Sequence, residues 1–397
     1  MSDTFDLNFI LGAASAATQI EGGDLDHSWN DWCKKGHIRD ASSVTRANDH
    51  YNLWREDIDL MKKMGLSCYR LSVEWARLEP SEGEFDFDAF AYYRLLISEL
   101  ISSGIQPLIT LHHFTNPMWF ERKGAFAVRG NLPIFLRFVE EFVNRLGDIV
   151  SEYITINEPN VYTAKGYMLG EWPPGETSLR TGGKVMKNLA KCHIDTYHLI
   201  HKLRSERGFA DTKVGFTNNI CAFYRRGYKN PNNKLFKVIN GYGFHNKLWK
   251  KCGKYSDFIA VNYYAYSTED ENIQENDLGM ELHPPGVVNC VGYLYNIVKK
   301  PIYITENGIC DNNDSFRAKY IYEHLKALHE SKLPVERYYH WSFTDSFEWL
   351  EGESARFGLV HVDYETQERT IKKSGEFYSE IIKNGGVTKE MLEKYLS

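Results

Sequence analysis

The sequence has no run of about 18 apolar residues from which a membrane-spanning helix could be built. Its amino terminus, Met1-Ser2-Asp3-Thr4-Phe5-Asp6, lacks the basic start and apolar core of a secretory signal, so a cytoplasmic location is expected. No Cys-x-x-Cys pair is present, and seven cysteines are an odd number. They read as reduced packing residues, with neither a disulfide framework nor a structural zinc site expected. Long Lys/Arg runs are also missing. With 47 basic against 53 acidic residues the net charge is −6, which gives no electrostatic footprint for nucleic acid or an anionic membrane. No low-complexity linker divides the 397 residues, which are read as one catalytic domain, 1–397. Hydrophobic residues at 43% and charged ones at 25% are ordinary globular usage; they exclude a disordered or fibrous protein and imply a sizeable core.

What is present is an alternation of short β-rich runs with amphipathic stretches. The runs are Phe9 to Ser15, Ser67 to Glu74, Pro107 to His113, Tyr153 to Asn157, Lys213 to Asn218, Phe258 to Tyr264, Pro301 to Glu306 and Arg337 to Phe343. Between them apolar residues recur three and four apart, as in Trp54, Ile58 and Met61, or Phe135, Phe138, Val139 and Phe142. Gly65, Gly104, Gly147 and Gly208 fall where these helices should stop. Near-continuous apolar strands are covered on both faces, and parallel neighbours need crossover helices. Eight such units are the number that closes a (β/α)8 barrel, an α/β fold. An open doubly wound sheet is the competitor, but no Gly-x-Gly-x-x-Gly follows the first run.

In such barrels the site lies at the carboxyl ends of the strands. Those ends carry Gln19 and Glu21, Arg70, His112-His113, Asn157-Glu158, Asn218-Asn219, Asn262-Tyr263-Tyr264, Glu306-Asn307 and Trp341. His112 and His113 cannot easily share a metal ion, because alternate strand residues face opposite sides. Glu158 and Glu306 stand out, since each closes an apolar run that has no packing reason to end in a charge. On the fourth and seventh strands of a ring they would face each other across its mouth. Opposed carboxylates over a pocket suit glycosidic bond cleavage, one protonating the departing oxygen while the other captures the sugar. A separation of roughly 5 to 5.5 Å would give a covalent intermediate and retained configuration.

These residues carry a family resemblance. The chain resembles glycoside hydrolase family 1, the β-glucosidase and β-galactosidase family, over nearly its whole length. The motifs are Phe9 to Gly23, with Gln19-Ile20-Glu21; Asp49-His50-Tyr51; Tyr69-Arg70-Leu71-Ser72-Val73-Glu74-Trp75; Thr155-Ile156-Asn157-Glu158-Pro159; Ile304-Thr305-Glu306-Asn307-Gly308; Trp341-Ser342 with Asp345 to Trp349; and Arg356 to Leu359. The resemblance implies a nucleophile at Glu306 and a general acid/base at Glu158. Arg70 and Tyr264 would support the nucleophile, and Asn157 would bind the 2-hydroxyl. Gln19, His113, Glu348 and Trp349 match positions for the outer hydroxyls, Trp341 the pocket floor, and Phe357 the region of the 6-position. Glu74 and Trp75 read as structural, Glu74 with an arginine partner. No metal and no cofactor are implied; the partner is a small β-glycoside or oligosaccharide.

The chain also departs from the family pattern. His113 is followed by Phe114 where the family has tryptophan, so the contact near the glycone is altered. Glu353 stands where most members have tyrosine. The chain is short for the family, with trimming expected after strands five and six and a more open aglycone side. Members acting on 6-phosphorylated sugars carry Ser, Lys and Tyr where this chain has Glu348, Ala355 and Phe357, which favours unphosphorylated substrates. The expected activity is that of a retaining exo-acting β-glycosidase. A 6-phospho-β-glycosidase and a catalytically silent carbohydrate-binding protein stay open as alternatives.

Overall fold

The apolar runs fold as strands because each can be buried on both faces, inside a ring and beneath a shell of helices. A computed structural model describes residues 3–221, 242–264, 274–280 and 282–396. The ring strands are β1 Ile10–Ala14, β2 Cys68–Ser72, β3 Gln106–Thr110, β4 Glu152–Ile154, β5 Lys213–Gly215 with Thr217–Asn219, β6 Ile259–Tyr263, β7 Ile302–Asn307 and β8 Val335–Trp341. All ladders between them are parallel, and β8 pairs with β1 in register from Arg337↔Ile10 to Trp341↔Ala14. Strand β5 is interrupted at Phe216; its first half pairs with β4 and its second with β6. The ladder therefore ends on the strand where it began, and the sheet closes as a (β/α)8 barrel.

Each strand is followed by a helix packed on the outside: α1 His50–Met64, α2 Phe87–Ser102, α3 Leu132–Leu146, α4 Leu179–Glu206, α5 Tyr242–Cys252, α6 Pro284–Val298, α7 Arg317–Ser331 and α8 Lys373–Asn384. Gly65 ends α1 with φ +80° and donates to the carbonyls of Met61 and Lys62, which only a residue tolerant of left-handed backbone does cheaply. Gly147 differs from the expected pattern. Its φ of −68° is right-handed, and what a side chain there would meet is the Val143 carbonyl, 2.4 Å from an ideal Cβ.

The main core lies between strands and helices, while a smaller one fills the barrel with Ala14, Cys68, Leu108, Ile154, Ala260, Tyr303 and Tyr339. At the amino end of the ring, Arg337 forks onto Glu152 at 2.6 and 2.8 Å, with Lys213 at 3.7 Å from the same carboxylate. That fork leaves the opposite rim to hold the site. The seven cysteines are all unpaired, and all but Cys33 are buried. Elements absent from the alternation read in the sequence are a pairing of Phe5–Asp6 with Gly386–Val387, a hairpin of Val360–Val362 with Arg369–Ile371, and helix Lys389–Tyr395. The trimming expected after strands five and six bears on residues 222–241 and 265–273, which lie outside the described residues. Among the described residues no helix is long and apolar enough to cross a membrane.

Candidate active site

Strand β4 stops at Ile154, short of the expected Asn157, and Glu158 follows on a left-handed backbone with φ +39° and ψ +61°. Glu306, by contrast, sits within β7. A register shift opposite Val261 and Asn262 lets two consecutive residues, Thr305 and Glu306, reach the barrel interior. Thr305 Oγ1 donates to Asn262 Oδ1 at 2.7 Å. Asn307 turns the other way and is held by Tyr263 O, Tyr320 and Tyr338 at 2.6 to 2.8 Å. Gly308 is required by close approach: a Cβ there would lie 1.7 Å from the Trp341 carbonyl oxygen.

Glu158 and Glu306 both line one cavity of about 260 Å³. Its walls include His113, Phe114, Trp172, Tyr264, Trp341, Glu348, Trp349 and Phe357, and also Arg39, Lys165 and Cys221. The two carboxylates meet different partners. Arg70, fully buried, donates Nη1 to Glu306 Oε1, and the Tyr264 hydroxyl donates to Glu306 Oε2. Glu158 Oε1 accepts from Asn262 Nδ2 at 2.8 Å and Asn219 Nδ2 at 3.2 Å. Burial and the negative charge of Glu306 push Glu158 up to about 8. Burial raises Glu306 as well, but Arg70 and the Tyr264 hydroxyl oppose it, so the cation stands beside Glu306 and the proton stays on Glu158. Two N–H groups on Oε1 leave Oε2 of Glu158 as the oxygen that carries that proton.

Asn157 is fully buried, and its Oδ1 accepts from Arg70 Nη2 at 2.6 Å, Thr217 Oγ1 at 2.7 Å and Asn262 Nδ2 at 3.2 Å. Its Nδ2 donates to His113 Nε2 at 3.1 Å, so His113 carries its proton on Nδ1, and the second Asn157 N–H has no partner among the described residues. Gln19, also fully buried, donates to Phe347 O at 2.6 Å and to Glu348 Oε2 at 3.3 Å. Among the described residues, His113 Nδ1 and Gln19 Oε1 have no hydrogen-bond partner. The His113 ring stacks at 5.9 Å from both Trp341 and Trp349.

His112 turns away from His113, to Asn116 at 3.0 Å, as the alternation of strand residues requires. Other sequence expectations come out differently. Among the described residues no arginine forms an ion pair with Glu74; it caps the following turn and accepts from Thr18 at 2.6 Å, and the arginine beside it, Arg77, pairs with Glu21 at 2.9 Å. Glu21 is thereby a structural rim residue. Glu353 lies off the cavity, its backbone N–H on Asp40 Oδ2 at 2.7 Å, and burial with Asp40 raises it to about 7. The tryptophan lacking at position 114 has a substitute from another loop. Trp172 packs edge-on against Phe114 at 4.9 Å and lies 5.7 Å from Trp349. Beside it Pro173-Pro174-Gly175 spells a turn in the sequence, but nothing local shows that the segment after β4 brings an indole to the residue after His113.

Comparison with known proteins agrees with this geometry. The sequence model of Glycosyl hydrolase family 1 matches residues 1–266 and 259–387. Beta-glucosidase A of Acetivibrio thermocellus is 32% identical, covering 96% of this chain and 99% of its own. The beta-glycosidase from Pyrococcus horikoshii superposes with a TM-score of 0.88 at 34% identity, over 100% of this chain and 98% of that one. The beta-glucosidase from Thermotoga maritima in complex with deoxynojirimycin gives 0.87 at 28% identity, over 97% and 100%. A closed barrel with two carboxylates on one cavity, matched along its length by these sequences and structures, is an enzyme, a glycoside hydrolase, and the chain belongs to glycosyl hydrolase family 1.

Proposed function

We propose that the protein is a retaining, exo-acting β-glycosidase that removes terminal β-glycosyl residues, β-glucoside foremost, with β-galactoside or β-fucoside as further glycones. The observation that carries this reading is the unequal pair on one cavity: Glu306 beside a cation and a phenol, Glu158 beside two amides with no ion-paired cation among the described residues, its pKa pushed up by burial and by Glu306. Glu306 attacks the anomeric carbon while Glu158 gives its proton to the leaving oxygen; Glu158 then takes a proton from the water that releases the sugar. His113 Nδ1–H and Gln19 Oε1, a donor and an acceptor without partners among the described residues, suit sugar hydroxyls. The spare Asn157 N–H is assigned to the 2-hydroxyl, whose hydrogen bond tightens in the transition state. Glu348, Trp349, Trp341 and Phe357 complete the glycone wall. Seven free thiols suit the reducing cytoplasm, where we place the enzyme.

Glu306→Ala is expected to abolish turnover of an aryl β-glucoside while sugar binding survives. Glu158→Ala should spare substrates with very acidic leaving groups, which need no proton, and impair alkyl glycosides. Equal losses on both substrate types would remove the acid role from Glu158. The phosphorylated alternative is disfavoured by the lining cations. Arg39 pairs with Glu351 and Lys165 with Glu171, so neither is free for a phosphate.

A further inference from the structure

The charges on the cavity wall outside the reaction just described are paired, Arg39 with Glu351 and Lys165 with Glu171; the thiol of Cys221 on the same wall is also given no part in it. The six other cysteines belong to the apolar cores or pack directly on them, and Cys221 belongs to neither core. It lies two residues past Asn219, and its S–H donates to Asn219 Oδ1 at 3.4 Å. Asn219 Nδ2 in turn donates to Glu158 Oε1 at 3.2 Å.

The two ends of a carboxamide have nearly the same shape and opposite polarity. Turned over, Asn219 would present an oxygen lone pair to Glu158 in place of an N–H. Among the described residues the thiol is the side-chain donor that meets Asn219 Oδ1, and a donor there favours one of the two orientations. We propose that Cys221 is a positioning residue: it holds the Asn219 amide with its N–H on Glu158 Oε1, which keeps the acid's proton on Oε2, facing the leaving group. Burial and the charge of Glu158 push the thiol up to about 12, so it remains a donor throughout the working range. Any small side chain would fill the space, but only a donor fixes the amide. The inference rests on Glu158 acting as the acid/base.

The test compares kcat/KM against pH for Cys221→Ala, Cys221→Ser and wild type on phenyl β-glucoside, with Glu158→Gln as the reference for the parent reading. Loss of a hydrogen bond to the ionised form raises a carboxyl pKa, and the alkaline limb follows the loss of the Glu158 proton. Cys221→Ala should therefore move that limb up by about half a pH unit. Its kcat on dinitrophenyl β-glucoside, where Glu158 must act as an ionised base, should fall about threefold. Cys221→Ser keeps a donor and should restore both. An unmoved limb in Cys221→Ala, or a serine variant that behaves like alanine, overturns the proposal. Normal hydrolysis of phenyl β-glucoside by Glu158→Gln would instead overturn the acid assignment beneath it.

Discussion

Arg70 and Asn157, 87 positions apart in sequence, are joined at 2.6 Å through Nη2 and Oδ1, while the other terminal nitrogen of the same guanidinium holds Glu306. One fully buried cation thus couples the residue assigned to the 2-hydroxyl with the residue assigned to the attack. A lysine donates all three of its N–H groups from one nitrogen, so it lacks the fork that reaches Glu306 and Asn157 from two separate nitrogens. Arg70→Lys is expected to lower kcat/KM for aryl β-glucosides by about 100-fold or more, an oxyanion-scale loss of electrostatic support. The acid limb of its pH profile should also move up, because Glu306 loses the group that opposes its burial. A profile with an unshifted acid limb would count against the coupling.

Stability should report the Glu158 proton directly. A carboxyl whose folded pKa, about 8, lies above its unfolded value of 4.5 means that the folded state binds more protons between those values. Stability is then lost as pH rises through that window. Glu158→Gln removes the titration while its carbonyl still accepts from Asn262 and Asn219. Its melting temperature should exceed that of wild type at pH 8, with a smaller gap at pH 5. Melting curves at both pH values check this; a gap independent of pH would contradict it.

The pair Phe114 and Trp172 should behave as one packing unit. Restoring the family residue with Phe114→Trp would force an indole against Trp172, 4.9 Å away, an overpacking cost of about 1–3 kcal/mol. Trp172→Ala should relieve it, so the double variant should be more stable than the sum of the single changes by about 1 kcal/mol. Denaturant unfolding of the four proteins in the cycle measures that coupling, and additivity would refute it.

Glu348 gives a prediction about charge. Burial and the charge of Glu306 raise it to about 8, so below that pH it is largely uncharged. Inhibition by glucose 6-phosphate relative to glucose should therefore weaken further between pH 7 and pH 9, as the carboxylate ionises opposite the phosphate. Competitive inhibition constants at the two values check it, and Glu348→Gln should flatten the trend.

The ring was legible because eight strands covered on both faces must be written as apolar runs, and an acidic residue closing such a run is visible by contrast. The same contrast exposed Glu158 and Glu306. Boundaries were less legible: β4 ends at Ile154 because Asn157 and Glu158 are shaped by contacts with Thr217, His113 and Asn262, which are remote in sequence. Glu74 was misread as an ion-pair partner since nothing local shows that Arg77 reaches Glu21 instead. Trp172 went unnoticed for a related reason, as its meaning lies in the smaller ring at position 114.

The backbone beneath Glu158 has a consequence for how such a protein could change over generations. Its left-handed φ and its submerged acid group both oppose folding, and the reaction alone justifies them. A lineage relieved of hydrolysis, yet still selected to hold sugars, would gain robustness by placing glycine or asparagine there. Glu306, set within β7 on backbone outside the left-handed region, open to any residue, and clasped by arginine, offers no comparable relief. Drift toward a silent lectin-like descendant would accordingly begin on the fourth strand's side of the barrel.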